Sequence, residues 1–279
     1  MQNIDKDGPL VSIIMPTYNR GEFLPDTIQN ILSQTYKNIE LIIVCDPSSD
    51  NTIEILSKYS TNDQRIKVIK NDTRKKLMKS LNIGLSVAKG VYIARADDDD
   101  PWININKLTN QISFLEKNPE YVLVGTGAIV INNQKNELFR YQQPNSDKSI
   151  RNKMLLGNPF IHSTVVFRKS ILKKTGPYDE NLTDAEDWDL WLRMGMQGKL
   201  YNLRTYDIYR FYGERGLSIQ NRRNVSKTRL QLIKKYREQY PHSVFAYLFN
   251  LLQRFYALFP YVMIMDNFLF KLKRKMLAK

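Results

Sequence analysis

Four short aliphatic runs, separated by segments with helical periodicity, constrain what the first hundred residues can become. Residues 10–15 (LVSIIM), 40–45 (ELIIVC), 65–69 (RIKVI) and 91–94 (VYIA) read as buried strands. Between them, residues 23–34, 53–59 and 77–88 carry apolar side chains at helical spacing, with Leu77, Leu81, Leu85 and Ala88 in one stripe. Strand–helix–strand alternation at this pitch predicts a mostly parallel sheet covered by helices on both faces. In such sheets ligands bind beyond the carboxyl ends of the strands, so the loops after the strands are the place to look for chemistry.

Those loops carry distinctive residues. Pro16-Thr17-Tyr18-Asn19 follows the first strand, Asp46-Pro47-Ser48-Ser49-Asp50 the second, and Asp97-Asp98-Asp99-Asp100 the fourth. Four adjacent carboxylates repel one another unless a cation neutralises them. The chain has two histidines and one cysteine, Cys45, so the natural cation is a hard divalent ion, Mg²⁺ or Mn²⁺, held by oxygen. The bland alternative is a solvated acidic turn capping a helix before Pro101. Tyr18 beside Asp46 offers an aromatic face and a carboxylate acceptor, which suits a nucleobase; the alternatives are strand-end packing and a turn aspartate. Asp50, ahead of Thr52, reads as a helix cap. Further on, Glu186-Asp187 opens an apolar helical stretch and offers a general base, or simply negative charge against a helix dipole. Trp188 and Trp191 share one helix face and suit either the core or the stacking of a sugar ring. Gly125-Thr126-Gly127 is too short for a phosphate loop.

Charge separates the chain into two parts. The net charge is +14, yet residues 215–279 hold 14 Lys and Arg against 2 Asp and Glu, leaving residues 1–214 at only +2. A near-neutral body argues against a nucleic-acid-binding protein, which would interleave basic and aromatic residues on that body. The reading is therefore a catalytic unit over residues 1–220 and a basic amphipathic helical extension over residues 221–279. In the extension, Val225, Leu232, Tyr236 and Tyr240 lie on one side of a helix expected over 222–240. After it comes SVFAYLFNLLQRFYALF, where Asn250, Gln253, Arg254 and Ala257 share one face and leave a wide apolar face opposite. Arg254, Pro260 and Asp266 argue against a transmembrane span, and a basic, aromatic-rich amphipathic segment suits an anionic membrane surface. The alternatives are packing on the catalytic unit and a homo-oligomer contact through these helices. The polar first nine residues lack an apolar signal region, which sets the expectation of a cytoplasmic chain.

Taken in order, PTYNR (16–20), QTY (34–36), ELIIVCDPSSDNT (40–52), GVYIARADDDD (90–100), the stretch from Lys107-Leu108 through Gln111 to Asn118-Pro119, and AEDWDLWLRM (185–194) resemble family 2 glycosyltransferases over roughly residues 9–220. The resemblance implies an α/β GT-A fold, a nucleoside-diphosphate-sugar donor (read as a UDP-sugar) and an inverting mechanism. Carried over position by position, it implies that Tyr18 and Asp46, with Pro16 beside them, bind uracil. It places the metal at Asp99 and Asp97, with Asp97 or Asp98 near the ribose, and makes Asp187 the catalytic base. Glu186, His162, Trp188 and Arg210 are expected to line the site. Cys45 and Pro47 depart from the family pattern of two aspartates and a glycine, and the Arg74-Lys75-Lys76 triplet stands where relatives often carry glycine. The implied acceptor is a saccharide or lipid-linked saccharide in surface polysaccharide or glycoconjugate assembly, at the inner face of the cell membrane. Extension of a glycan on a protein such as an adhesin is the alternative. A nucleotidyltransferase would need a glycine-rich, basic phosphate loop after the first strand, and PTYNRGEFL supplies only Arg20 and Gly21.

Overall fold

The computed structural model describes residues 8–211 and 222–256. The first half contains β1 (Val11–Thr17), α1 (Leu24–Leu32), β2 (Ile39–Cys45), α2 (Thr52–Asn62), β3 (Ile66–Lys70), α3 (Lys76–Val87), β4 (Tyr92–Arg95) and α4 (Lys107–Lys117). Then follow β5 (Tyr121–Ile131), β6 (Glu137–Tyr141), α5 (Asp147–Lys153), β7 (Val166–Arg168), α6 (Leu172–Thr175), α7 (Glu186–Gly195) and β8 (Lys199–Phe211). Two more helices close the described chain, α8 (Arg222–Lys235) and α9 (Ser243–Tyr256). Up to β4, strands and helices alternate as the aliphatic periodicity requires, with boundaries within three residues of the expected ones, whereas the helix expected over 222–240 ends at Lys235.

The strands form one sheet in the order β3-β2-β1-β4-β7-β5-β6, with β8 alongside β5. Contacts among β1 to β4 are parallel, as is the long β5–β8 pair, whereas β7 and β6 run antiparallel to their neighbours. The chain steps from β1 outward to β3, then returns to place β4 on the other side of β1. That reversal opens a crevice outside the carboxyl ends of β1 and β4, the position where open α/β sheets bind ligands.

Alternate residues of the strands feed two cores. Val11, Ile13 and Met15 of β1 face α1, α2 and α4 through Leu24, Ile28, Leu56, Leu108 and Ile112. Ile14, Ile42 and Val44 face Leu81 and Leu85 of α3 in a core that continues through Trp188, Leu190 and Trp191 of α7. The two faces bury different helices because strand side chains alternate, a period of two. Gly125 and Gly127 lie inside β5. Gly90 must be glycine: a Cβ there would sit 2.5 Å from the Ser12 backbone nitrogen.

Helix α8 is not a loose appendage. Leu232, Ile233, Tyr236 and Tyr240 are buried in the same core as α7. Asp189 of α7 is fully buried and bonded to Arg193 (2.8 Å), Lys235 Nζ (3.1 Å) and the Tyr236 hydroxyl (2.8 Å). The expected apolar side of the 222–240 segment therefore packs on the body. The side chain of Val225 and everything after 256, including Pro260 and Asp266, lie outside the described residues. Among the described residues no helix is long and apolar enough to cross a membrane.

Candidate active site

The loop after β1 and the loop after β4 meet over the crevice. Arg20, in the first, places its guanidinium 3.6 Å from Asp98 and 3.6 Å from Asp99 in the second. Thr27 of α1 donates to the Asp98 carbonyl at 2.9 Å. Arg95, almost fully buried at the end of β4, donates to Asp97. Asp100 accepts from the buried Ser163 hydroxyl at 2.5 Å. Each aspartate of the run thus has a side-chain partner, Asp98 and Asp99 sharing Arg20, which a solvated turn would not need.

The charges are unequal. Against the pull of burial, the Arg95 guanidinium holds Asp97 below the ordinary carboxylate range, with Arg210 adding to the effect. Burial and the neighbouring Asp99 push Asp98 up to about 7. Burial, then Asp97, raises Asp99 against the opposing Arg20. Burial pushes Asp100 up to about 7 although Arg210 opposes it. This crowding of hard oxygen donors with too little positive charge fits a divalent cation. Among the described residues no three carboxylate, imidazole or thiolate groups are arranged to hold one unaided. Phosphate oxygens and water would have to complete its shell.

At the other end of the crevice, Tyr18 is 36% exposed and the Arg74 guanidinium lies over its ring at 4.1 Å. Pro16, in β1, pairs in register with Val44 of β2. Asp46 is buried, and its carboxylate does not bond its own turn. It accepts from Asn71 (2.8 Å) and from the backbone N–H groups of Lys75 (3.0 Å) and Lys76 (2.9 Å). Three of the roughly four acceptor positions of its carboxylate are therefore filled, leaving one for a ligand N–H. The Lys75-Lys76 cations enter the site through their backbone, a role their side chains do not announce. Asp50 behaves as the cap expected, accepting from Gly21 (3.0 Å) and Thr52 (3.1 Å).

Helix α7 supplies the late carboxylates. Its first residues are Glu186 and Asp187, and the preceding Ala185 has a left-handed backbone with φ of 57°. Asp187 accepts from its neighbour's Trp188 N–H at 2.7 Å and from Asn158 Nδ2 at 2.6 Å. Burial raises its pKa, those two bonds lower it, and the charge of Asp97 raises it again, leaving it above the ordinary range. Burial and then Asp187 push Glu186 up to about 8, so at neutral pH Glu186 is mostly protonated. Asp97 and Asp187 feel each other's charge, and Arg210 at the end of β8 acts on Asp97, Asp99, Asp100 and Asp187. The acidic run and α7 thus converge at one sheet edge.

Two expected lining residues stand further back. His162 is bonded to the Tyr178 hydroxyl at 2.9 Å, and burial, with Arg95, pushes it down to about 3, so it is neutral. Trp188 departs from the expected sugar platform: it is 2% exposed, its indole N–H donates to the Met154 carbonyl at 2.6 Å, and Arg229 stands 6.0 Å from its ring. An indole so enclosed belongs to the core. Arg95, Arg20, Asn158 and Ser163 are the orienting residues the sequence did not single out. Arg20, inside PTYNR, and Arg95, inside GVYIARADDDD, lie within quoted motifs, whereas Asn158 and Ser163 carry no local signal.

A family model described as glycosyl transferase family 2 matches residues 12–176. EpsE of Bacillus subtilis (strain 168), a protein bearing a glycosyltransferase name, is 41% identical over 201 residues, covering 71% of each chain. The Escherichia coli UDP-Glc:alpha-D-GlcNAc-diphosphoundecaprenol beta-1,3-glucosyltransferase WfgD is 38% identical over 186 residues, covering 67% of this chain and 70% of that one. Among solved structures, the mannosyltransferase PcManGT from Pyrobaculum calidifontis, in complex with GDP-Man and Mn²⁺, matches with a TM-score of 0.65 at 18% identity, over 87% of this chain and 68% of that one. The chain spans about two thirds of the length of the solved structures it matches. With the sheet order, the convergent acidic loops and these likenesses together, the chain belongs to glycosyltransferase family 2 and is a glycosyltransferase of GT-A fold.

Proposed function

We propose that this glycosyltransferase moves a hexose, with inversion, from a UDP-sugar to a hydroxyl of a lipid-linked saccharide during assembly of a surface polysaccharide or glycoconjugate. The observation that carries the reading is the convergence on one sheet edge of a nucleobase-type end, an acidic run and a raised-pKa carboxylate at the head of α7. Tyr18 offers its face to the uracil and Asp46 its remaining lone pair to the ring N–H. Asp97 and Asp99 would hold Mg²⁺ or Mn²⁺ together with donor phosphate oxygens, and the ion when bound supplies positive charge opposite the departing diphosphate. Asp98 lies between them and Arg20, toward the ribose. Asp187, oriented by Asn158, takes the acceptor proton as its oxygen attacks the anomeric carbon from the face away from the nucleotide. Glu186, largely protonated beside it, adds no second charge to repel that of the base.

WfgD supports the donor and acceptor classes, since its name specifies UDP-glucose and a diphosphoundecaprenol-linked sugar. An acceptor of that kind places the work at the inner face of the membrane. Asp187→Asn tests the assignment of the base. It should leave UDP affinity within about twofold and lower transfer by at least ~10²-fold. Titration calorimetry with UDP and Mn²⁺, alongside a nucleotide-release assay, reads both; near-normal turnover would remove Asp187 from the role.

A further inference from the structure

Helix α9 is amphipathic the wrong way round for a helix in water. Its amide residue Asn250 is turned inward, 3% exposed and donating to the Ala246 carbonyl. Its large apolar residues Val244, Phe245, Leu248, Phe249 and Leu252 face out, with Phe245 62% and Leu248 54% exposed. They recur at i, i+1, i+4, i+5 and i+8, a continuous stripe, and the rings of Phe245 and Phe249 stack at 6.1 Å. A stripe of this size on a soluble protein marks an interaction surface.

Charge selects the occupant. Residues 239–265, which contain α9, include no Asp or Glu, and the preceding α8 presents exposed Lys227 and Lys234. The chain from 215 onward is +12. Two copies meeting through this face would bring like charge together, whereas an anionic lipid surface complements it. Position agrees. Phe245 and His242 share a groove of about 510 Å³ with Ser149, Asn152 and Lys153 of α5. The segment after α5 carries Met154, which receives the Trp188 indole N–H, and Asn158, which holds Asp187. The apolar helix therefore borders the segment that carries Asn158, the residue that orients Asp187.

We propose that the outward face of α9 inserts into the headgroup–acyl boundary of an anionic bilayer and sets the α7 carboxylates toward acceptors carried there. This rests on the lipid-linked-acceptor reading above and names the element that realises it. The full-length chain should co-float with phosphatidylglycerol–phosphatidylcholine vesicles, far less with phosphatidylcholine alone, and less as salt rises. Phe245→Gln with Leu248→Gln should lower the partition coefficient at least ~10-fold. The same variant should keep wild-type release of UDP from UDP-sugars in lipid-free solution, which reports an intact fold and donor site. Vesicle binding unchanged in the double variant overturns the proposal, as does a wild-type chain that ignores anionic vesicles. A dimer in light scattering that the double variant dissolves, without vesicle binding, also overturns it in favour of a second copy. Vesicle binding through α9 with no transfer to a lipid-linked sugar would sustain this proposal while sinking the acceptor assignment.

Discussion

At the scale of single residues, the site works by giving each carboxylate its own counterweight. Asp97 has Arg95, Asp98 and Asp99 share Arg20, Asp100 has Ser163, and Asp187 has Asn158. The last pair yields a signed prediction. Asn158 donates to the charged form of Asp187 and so lowers its pKa; losing that bond raises it further. A base must be unprotonated to act, so in Asn158→Ala the low-pH limb of kcat should move to higher pH. At pH values on that limb kcat should fall about tenfold, and it should recover toward wild type on the alkaline side. A profile lowered by the same factor at every pH would mean that Asn158 only shapes the pocket.

At the scale of elements, the first turn of α7 is fixed from two sides, by Asn158 at Asp187 and by Lys235 of α8 at Asp189. Asp189 is fully buried with Arg193, Lys235 and Tyr236 around it, and although burial opposes its charge, Arg193 and the other donors hold its pKa low. A depressed carboxylate contributes stability that is present above its unfolded pKa and lost as pH falls through the folded one. Asp189→Ala strands a buried guanidinium and should cost about 3–5 kcal/mol, whereas Tyr236→Phe should cost about 1 kcal/mol. Thermal unfolding should show the difference between wild type and Asp189→Ala shrinking under acid conditions. A gap that stays constant to low pH would refute the charge argument.

Elements are also where sequence was most readable. The runs at 10–15 and 40–45 announce β1 and β2 because both faces of a parallel strand are buried, and Leu81 and Leu85 announce α3 because one helix stripe faces the sheet. The acidic run and Asp187 were legible as chemistry for the same reason: charges at the mouth of an apolar strand have no packing role. What escaped reading depends on contacts distant along the chain. Nothing near Arg95 says that it will be buried against Asp97, and nothing near Asp46 says that it will collect the Lys75 and Lys76 amides. Trp188 was misplaced because helix spacing shows which residues share a face, not whether that face meets a ligand or the α8 core. In α9, Asn250 turns inward, which only its neighbours α5 and α8 could decide.

At the scale of the molecule, α8 and the turn after it pack on the body. Leu232, Ile233, Tyr236 and Tyr240 each contribute about 1.5–3 kcal/mol by burial, together comparable to the whole stability of a domain. A chain ending at residue 221 should therefore lose its cooperative unfolding transition or aggregate, with circular dichroism and size exclusion as the measurements. A truncated chain that folds and hydrolyses donor would show that the body is stable without them.

Among the described residues, three of the five non-glycine residues with left-handed backbone stand at the mouth of the site: Asn19 after Tyr18, Lys76 beside Asp46, and Ala185 before Glu186. Asparagine adopts this region readily, but Lys76 and Ala185 are held against their preference at about 1 kcal/mol or more, and only the surrounding packing keeps them there. The catalytic edge consequently stores backbone strain. Selection for heat resistance in this enzyme would find an easy gain in Ala185→Gly, and the hardened variant would hand back turnover, because the kink that is relieved is also what aims the base.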